Sequence, residues 1–293
     1  MSNMTEEPIV VGVDGMDPSD RAVRYAVEEA QRLGCGLRLV HVAPEMVPRA
    51  PMLPMVSEES LEQLGRRIVN ESKRLAEDVA GGELAVETVV RTGTKAHNLV
   101  EAAEDARLVV LGHRDRSVLG RMFTGSTSTG VAARAQCPVV CVPAAWEPEG
   151  DHHHVVVGVH DMGPSHEPLA VAFAAAASRK AKLSVLHAWK MQSPYDDIIA
   201  SRSDVEEWKS AVSTKLDNTL AEWRERYPDV DVELDVSHQF PATALVGATE
   251  GADLVVVGRH GHRTRLGAHL GSIARTLIRE ARCPVVIAPP QPR

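Results

Sequence analysis

The chain has 293 residues, 44% of them hydrophobic and 25% charged, a composition that fits about two ordinary folded domains and not a disordered polymer. Its formal net charge of -8 argues against a surface built for phosphate backbones or anionic lipid, since both reward an excess of Lys and Arg, so neither nucleic acid nor membrane is an expected partner. Met1–Pro8 carries two glutamates and no apolar centre, and no apolar run approaches membrane-spanning length, so a cytoplasmic location is expected.

In chain order, Pro8–Asp14 reads as a short apolar strand. Pro18–Leu33 repeats apolar residues at Ala22, Val23, Ala26, Val27, Ala30 and Leu33, which is helical spacing, and Pro18 suits helix position N1. Leu37–Ala43 is a second strand. Pro44, Pro48, Pro51 and Pro54 then enforce a loop before Ser57 opens a helix with Leu61, Leu64, Ile68, Leu75 and Val79 on its expected apolar face. Leu84, Val86, Thr88 and Val90 alternate as a strand wet on one side. Leu108–Leu111 and Val139–Val142 are apolar without alternation, as strands covered on both faces are.

The same programme then repeats at a constant shift of 146 residues. The shift carries Val10–Val13 onto Val156–Val159, His41 onto His187, Gly112 onto Gly258, Gly125-Ser126 onto Gly271-Ser272, and Cys137–Val140 onto Cys283–Val286. Val230, Val232, Leu234 and Val236 alternate more cleanly than their counterparts, Leu254–Val257 and Val285–Ile287 are again unbroken apolar runs, and Ser203 with Glu206 forms a capping box at the long helix. The expected architecture is therefore α/β, with two tandem doubly wound domains of five parallel strands each, covering 1–146 and 153–293 and joined in the polar stretch Trp146–His154. Ligands in such sheets bind beyond the C-terminal strand ends.

In the second copy the fourth strand runs into Gly258-Arg259-His260-Gly261, nine residues follow, and Gly271-Ser272 opens a helix, giving the spacing G-x2-G-x9-G-S. Glycines after a strand let backbone N–H groups approach a ligand closely, and a helix N-terminus offers unpaired donors and a favourable dipole to phosphate. A turn with no ligand explains the same glycines; the loop's position after a buried strand, repeated in both copies, weighs toward phosphate.

On these features, namely the apolar first strand ending in Asp14, the glycine loop and the closing CPVV strand of both halves, the chain resembles the ATP-binding branch of the universal stress protein family in tandem form. The resemblance implies strand order 3-2-1-4-5 in each copy, a Rossmann-like (adenine nucleotide alpha hydrolase-like) fold. It implies ATP as ligand, with Mg as its accompanying ion and AMP or cyclic AMP as alternative ligands, a role in stress response exercised through a protein partner, and pairing through fifth strands as a homodimer or an intramolecular pseudo-dimer. It places adenosine beside Asp14 and Val42-Ala43, and phosphates on the glycine loop. The candidate nucleotide-binding residues are Gly12, Asp14, Val42, Gly112, His113, Arg114, Arg116, Gly125, Ser126 and Thr127 in the first copy. In the second they are Gly158, Gly258, Arg259, Gly261, His262, Arg263, Gly271, Ser272 and Ile273.

Two departures fall in different copies. Asp115 stands where the second loop glycine is expected in copy one, and its carboxylate would repel phosphate unless Arg114, Arg116 or Arg121 compensates. His160 stands where copy one has Asp14, with Asp161 one residue on and so turned to the other face. The chain lacks GxxxxGK[ST], no lysine sits in either glycine loop, and GxSxG is absent, so no catalytic residue is assigned and efficient ATPase chemistry is not expected. Cys35, Cys137, Cys141 and Cys283 lack CxxC spacing and read as reduced packing residues, His152-His153-His154 reads as linker and not as a metal site, and Trp208 and Trp223 read as core. Beside the regulatory reading stand a slow ATPase or autophosphorylating enzyme, with Ser126, Thr127, Ser128 and Ser272 as acceptors, and an interaction module with degenerate sites.

Overall fold

The computed structural model describes residues 7–45, 58–113, 126–148, 152–160, 167–190, 205–259 and 270–290. The chain divides into two compact units, one holding Met1–Pro148 and the other Glu149–His260 and Gly271–Arg293. The first unit runs β1 (Ile9–Gly12), α1 (Asp17–Leu33), β2 (Leu37–Ala43), α2 (Glu58–Ala80), β3 (Val86–Thr92), α3 (Lys95–Ala102), β4 (Leu108–Gly112), α4 (Ser126–Ala132) and β5 (Val139–Val142). The second runs β6 (His154–Gly158), α5 (Glu167–Arg179), β7 (Lys182–Ala188), α6 (Val205–Arg226), β8 (Val232–Ser237), α7 (Pro241–Ala248), β9 (Leu254–Gly258), α8 (Ser272–Glu280) and β10 (Val285–Ala288). Each unit is one all-parallel ladder, β3-β2-β1-β4-β5 in the first and β8-β7-β6-β9-β10 in the second.

The repeat holds hydrogen bond by hydrogen bond. Val13 N–H donates to Val40 O at 2.9 Å, as Val159 N–H does to Leu186 O at 3.0 Å. Val109 N–H donates to Pro138 O at 2.9 Å, and Val255 N–H to Pro284 O at 3.0 Å. Strands β4, β5, β9 and β10 are buried, with Val109–Leu111, Val139–Val142, Leu254–Val257 and Val285–Ile287 all below a tenth exposed, as strands with helices on both faces must be. The edge strand β8 alternates, burying Val236 and exposing Glu233 and Asp235, whereas β3 does so only loosely. Helix α1 buries Ala22, Val23, Ala26, Val27 and Ala30; it opens at Asp17, so Pro18 is its second residue and not its first. The capping box expected at Ser203 lies outside the described residues.

Helix α2 corrects the reading of its sequence. Its fully buried positions are Gly65, Val69, Ser72 and Ala76, while Leu64 is 50% exposed and Leu61, Ile68, Leu75 and Val79 flank the contact half-buried. The cause is closeness of approach: a Cβ on Gly65 would stand 2.8 Å from Val90 Cγ1 and 3.1 Å from His41 Cδ2. A helix that near the sheet presents its small residues, and the large aliphatics move to the shoulders. In the second unit Trp223 is half-buried and stacks on the buried Phe173 with ring centroids 5.5 Å apart, which agrees with a packing role; the side chain of Trp208 lies outside the described set. The four cysteines are free thiols, three of them buried and Cys137 partly so. Burial pushes the Cys141 thiol up to about 12, far from thiolate chemistry. Among the described residues no helix is long and apolar enough to cross a membrane, and no group of three or more metal-ligating side chains gathers.

Two glycines at strand ends are fixed by packing. A Cβ on Gly112 would lie 2.0 Å from the Pro18 carbonyl oxygen and 3.0 Å from Ser19 N, both backbone atoms. A Cβ on Gly12 would meet Leu111 Cδ2 at 2.6 Å, the tip of a side chain that can rotate away. Gly112→Ala is therefore expected to cost about 1–3 kcal/mol or more and Gly12→Ala distinctly less. Urea unfolding of the two variants checks the order, and equal costs would contradict the backbone-clash argument.

Candidate functional site

The chain leaves β1 for β2 and β3 on one side and returns to β4 on the other, so adjacent connections diverge at the C-terminal ends of β1 and β4 and open a crevice there. In the first unit that crevice is an open pocket. Gly12, Val13 and Asp14 from the end of β1, Val40–Val42 from β2, and Leu111 and Gly112 from β4 line it. Pro18 and Ser19 of α1, Lys95 and Leu99 of α3, and Thr127 and Ser128 of α4 complete the wall.

Hydrogen bonds hold three of the polar wall groups, Asp14, Ser19 and His41. Asp14, half-buried, accepts from Met16 N at 3.2 Å across the turn that leads into α1. Ser19 Oγ accepts from Met16 N at 3.3 Å and donates to Met16 O at 2.9 Å, tying that turn to the first turn of the helix. His41, buried on β2, donates from Nδ1 to Val13 O at 2.9 Å, and this pins the residue just before Asp14 to the neighbouring strand. The carbonyl can only accept, so the Nδ1–H tautomer or the imidazolium is required. Ser128 is buried at the pocket wall. The assembled chemistry is a carboxylate, an ammonium, an imidazole and three hydroxyls around an apolar floor.

Of the first copy's candidate residues, the structure brings together Gly12, Asp14, Val42, Gly112 and Thr127. His113 follows β4 but is buried beside it, its N–H donating to Val142 O at 2.8 Å, and it is not among the lining residues. Arg114, Arg116 and Gly125 lie outside the described residues, as do Asp115 and Arg121; Ser126 begins α4, its side chain outside the described set. Lys95, Ser19 and His41 were not singled out from sequence as site residues, and Ser128 was named only as a phosphate acceptor. For His41 a signal existed, because His187 repeats it at the 146-residue offset. Lys95 carries no such mark: its counterpart is Pro241.

In the second unit Gly158 and Gly258 end the adjacent strands β6 and β9, and Arg259 continues the ladder by donating from its N–H to Ala288 O at 2.8 Å. Gly271 is the N-cap of α8, and Ser272 and Ile273 are its first residues. Gly261, His262 and Arg263 lie outside the described residues, as does Asp161. Gly158 is again a packing glycine, since a Cβ there would meet Leu245 Cδ2 at 2.9 Å. His160, exposed, occupies the place of Asp14. His187 repeats the role of His41, Nδ1 donating to Val159 O at 3.1 Å. Burial holds its imidazole below the usual histidine range, His160 nearby adds to the effect, and the bond to Val159 opposes it.

The universal stress protein family model matches residues 6–143 and again residues 152–289. Universal stress proteins of Mycobacterium bovis and Mycobacterium tuberculosis are 34% identical over 290 residues, 96% of this chain and 96% of theirs. One from Mycolicibacterium smegmatis is 34% identical over 297 residues, covering 99% of this chain and 100% of its own. Among solved structures, a universal stress protein from Archaeoglobus fulgidus superposes with a TM-score of 0.69 at 15% identity, over 97% of this chain and 99% of that one, a likeness of fold.

The lowered titration of His187 has a testable consequence. An unfolded histidine titrates near 6.5, so below that pH the unfolded chain takes up the proton first and stability is lost as pH falls toward the folded value. Unfolding midpoints measured between about pH 7 and about pH 5.5 are expected to fall, and to fall less steeply in His187→Asn, whose amide does not titrate. An unchanged slope in the variant would remove His187 as a contributor.

Proposed function

Because the chain belongs to the universal stress protein family, we propose that it is an adenine-nucleotide-binding regulator of stress response whose occupancy is read by a protein partner. The observation that carries this reading is the first unit's pocket, which lies at the switch point of a doubly wound sheet and combines Asp14, Lys95, Thr127 and Ser128. The donor set fits a nucleotide. A carboxylate accepts from ribose hydroxyls, while a lysine and hydroxyls donate to phosphate oxygens. The closeness of Gly12 and Gly112 to their neighbours is already accounted for by packing, so the reading rests on these polar groups and not on those glycines.

ATP is the ligand this reading favours, with Mg balancing the phosphates; AMP or cyclic AMP would use the same carboxylate and base contacts. Gly258, Arg259, Gly261, His262, Arg263, Gly271, Ser272 and Ile273 would serve the second copy, and Arg114, Arg116, Gly125 and Ser126 the first, beside the pocket residues. Pairing as a homodimer or an intramolecular pseudo-dimer, and a cytoplasmic setting, belong to the same proposal. A second reading, slow autophosphorylation, is favoured by one feature: the Thr127 and Ser128 hydroxyls stand on the pocket wall as acceptors.

Denaturing the purified protein and identifying released nucleotide by mass spectrometry, followed by calorimetric titration with ATP, tests the proposal. One or two equivalents per chain are expected. Asp14→Asn is expected to weaken one site about tenfold or more, the scale of a lost hydrogen bond to a charged group. No bound nucleotide and no titration heat from folded protein would overturn the reading and leave an interaction module.

A further inference from the structure

At the C-terminal end of its sheet the second unit carries a cluster that the first does not. Trp189, one residue past β7, donates from its N–H to Ser237 O at 3.1 Å, which ties it to the end of β8. Its ring meets the His238 ring at a centroid distance of 4.3 Å, tilted by 36°. Phe240, the N-cap of α7, is 50% exposed, and Lys190 Nζ stands over its ring 5.0 Å from the centroid. The positions 146 residues earlier are Ala43, Pro44, Thr92 and Thr94, with no aromatic ring and no positive charge. At the neighbouring strand end Asp14 gives way to His160. Each change thus replaces a small or acidic residue by an aromatic or basic one.

Interior packing does not require this. A half-exposed phenylalanine at a helix start gains little from burial, and a lysine kept over its face adds positive charge where the sheet presents its ligand crevice. Planar rings beside a cation are the arrangement that holds a nucleobase by stacking and its phosphates by charge. We propose that Trp189, His238, Phe240 and Lys190 form a stacking platform for the base of a purine nucleotide. The second copy would then hold its nucleotide by ring stacking and lysine, where the first relies on the carboxylate of Asp14. The inference rests on the nucleotide reading above and adds the means of recognition in the second copy.

The test uses the full chain with ATP as probe and ribose 5-triphosphate as its baseless control. In the unsubstituted protein, ATP is expected to quench tryptophan emission, and the quenching is expected to disappear in Trp189→Phe. Phe240→Ala, at a half-exposed position outside the core, and Lys190→Ala are each expected to weaken one class of ATP site on the order of tenfold, the scale of one lost stacked base or charge contact. Phe240→Ala should leave binding of ribose 5-triphosphate unchanged. If ATP binds but Phe240→Ala, Lys190→Ala and Trp189→Phe leave every affinity and the quenching as they were, the platform is overturned while the nucleotide reading stands. If ATP binds at neither site of the unsubstituted protein, both fall.

Discussion

The first turn of α1 lies against the end of β4 because Gly112 has no side chain. With the Pro18 carbonyl oxygen 2.0 Å from where a Cβ would be, no other residue fits without moving backbone. That contact sets how near α1 comes to the sheet, and with it where Ser19, Met16 and Asp14 stand at the crevice mouth. Gly12 does the same on the other wall, letting Leu99 of α3 and Leu111 close over the end of β1. The pocket floor is therefore packed backbone and aliphatic carbon, and its polar groups project from elements already fixed. Such preorganisation lowers the ordering cost of binding.

Much of this was legible in the sequence, for a definite reason. Strands such as Leu254–Val257, buried on both faces, leave an unbroken apolar signature, and the 146-residue offset doubled every signal. Helix α2 was legible, but the centre of its contact lies beside the large aliphatics and not on them, because Gly65, Ser72 and Ala76 make it by being small. In the site, Asp14 and Val42 were legible from their strand ends. Lys95 was not, since it enters from the start of a helix whose approach to β1 is tertiary. The strand-end glycines were legible as well, but not their packing role: Gly12, Gly112 and Gly158 admit neighbouring protein atoms.

The two copies also show which parts of the architecture tolerate exchange. Where a joint is structural, different residues rebuild the same bridge. In the first unit Arg38 Nη1 and Nη2 reach Asp105 at 2.6 and 3.1 Å and Nε reaches Glu87 at 2.7 Å, tying β2 to β3 and to the turn after α3. The corresponding positions in the second unit are Ser184, Gly251 and Glu233, which could not repeat that fork. There the His154 ring spans the gap instead, Nδ1 donating to Gly251 O at 3.0 Å and Nε2 meeting Ser184 Oγ at 2.8 Å, while Lys182 pairs with Glu233.

At the crevice the exchange is of another kind. His41 and His187 keep one bond to the end of the first strand in each copy, so the backbone that presents the next residue is held alike. What that backbone presents differs in charge: a carboxylate at Asp14, an imidazole at His160. Packing drift at a joint conserves what is bridged, as the Arg38 and His154 arrangements do. Exchanging a carboxylate for an imidazole on an unchanged scaffold alters instead which groups the crevice attracts, because a carboxylate only accepts hydrogen bonds while an imidazole can also donate them. The copies therefore differ at the crevice in the chemistry their shared backbone presents, while at the joints they differ only in how the same gap is bridged.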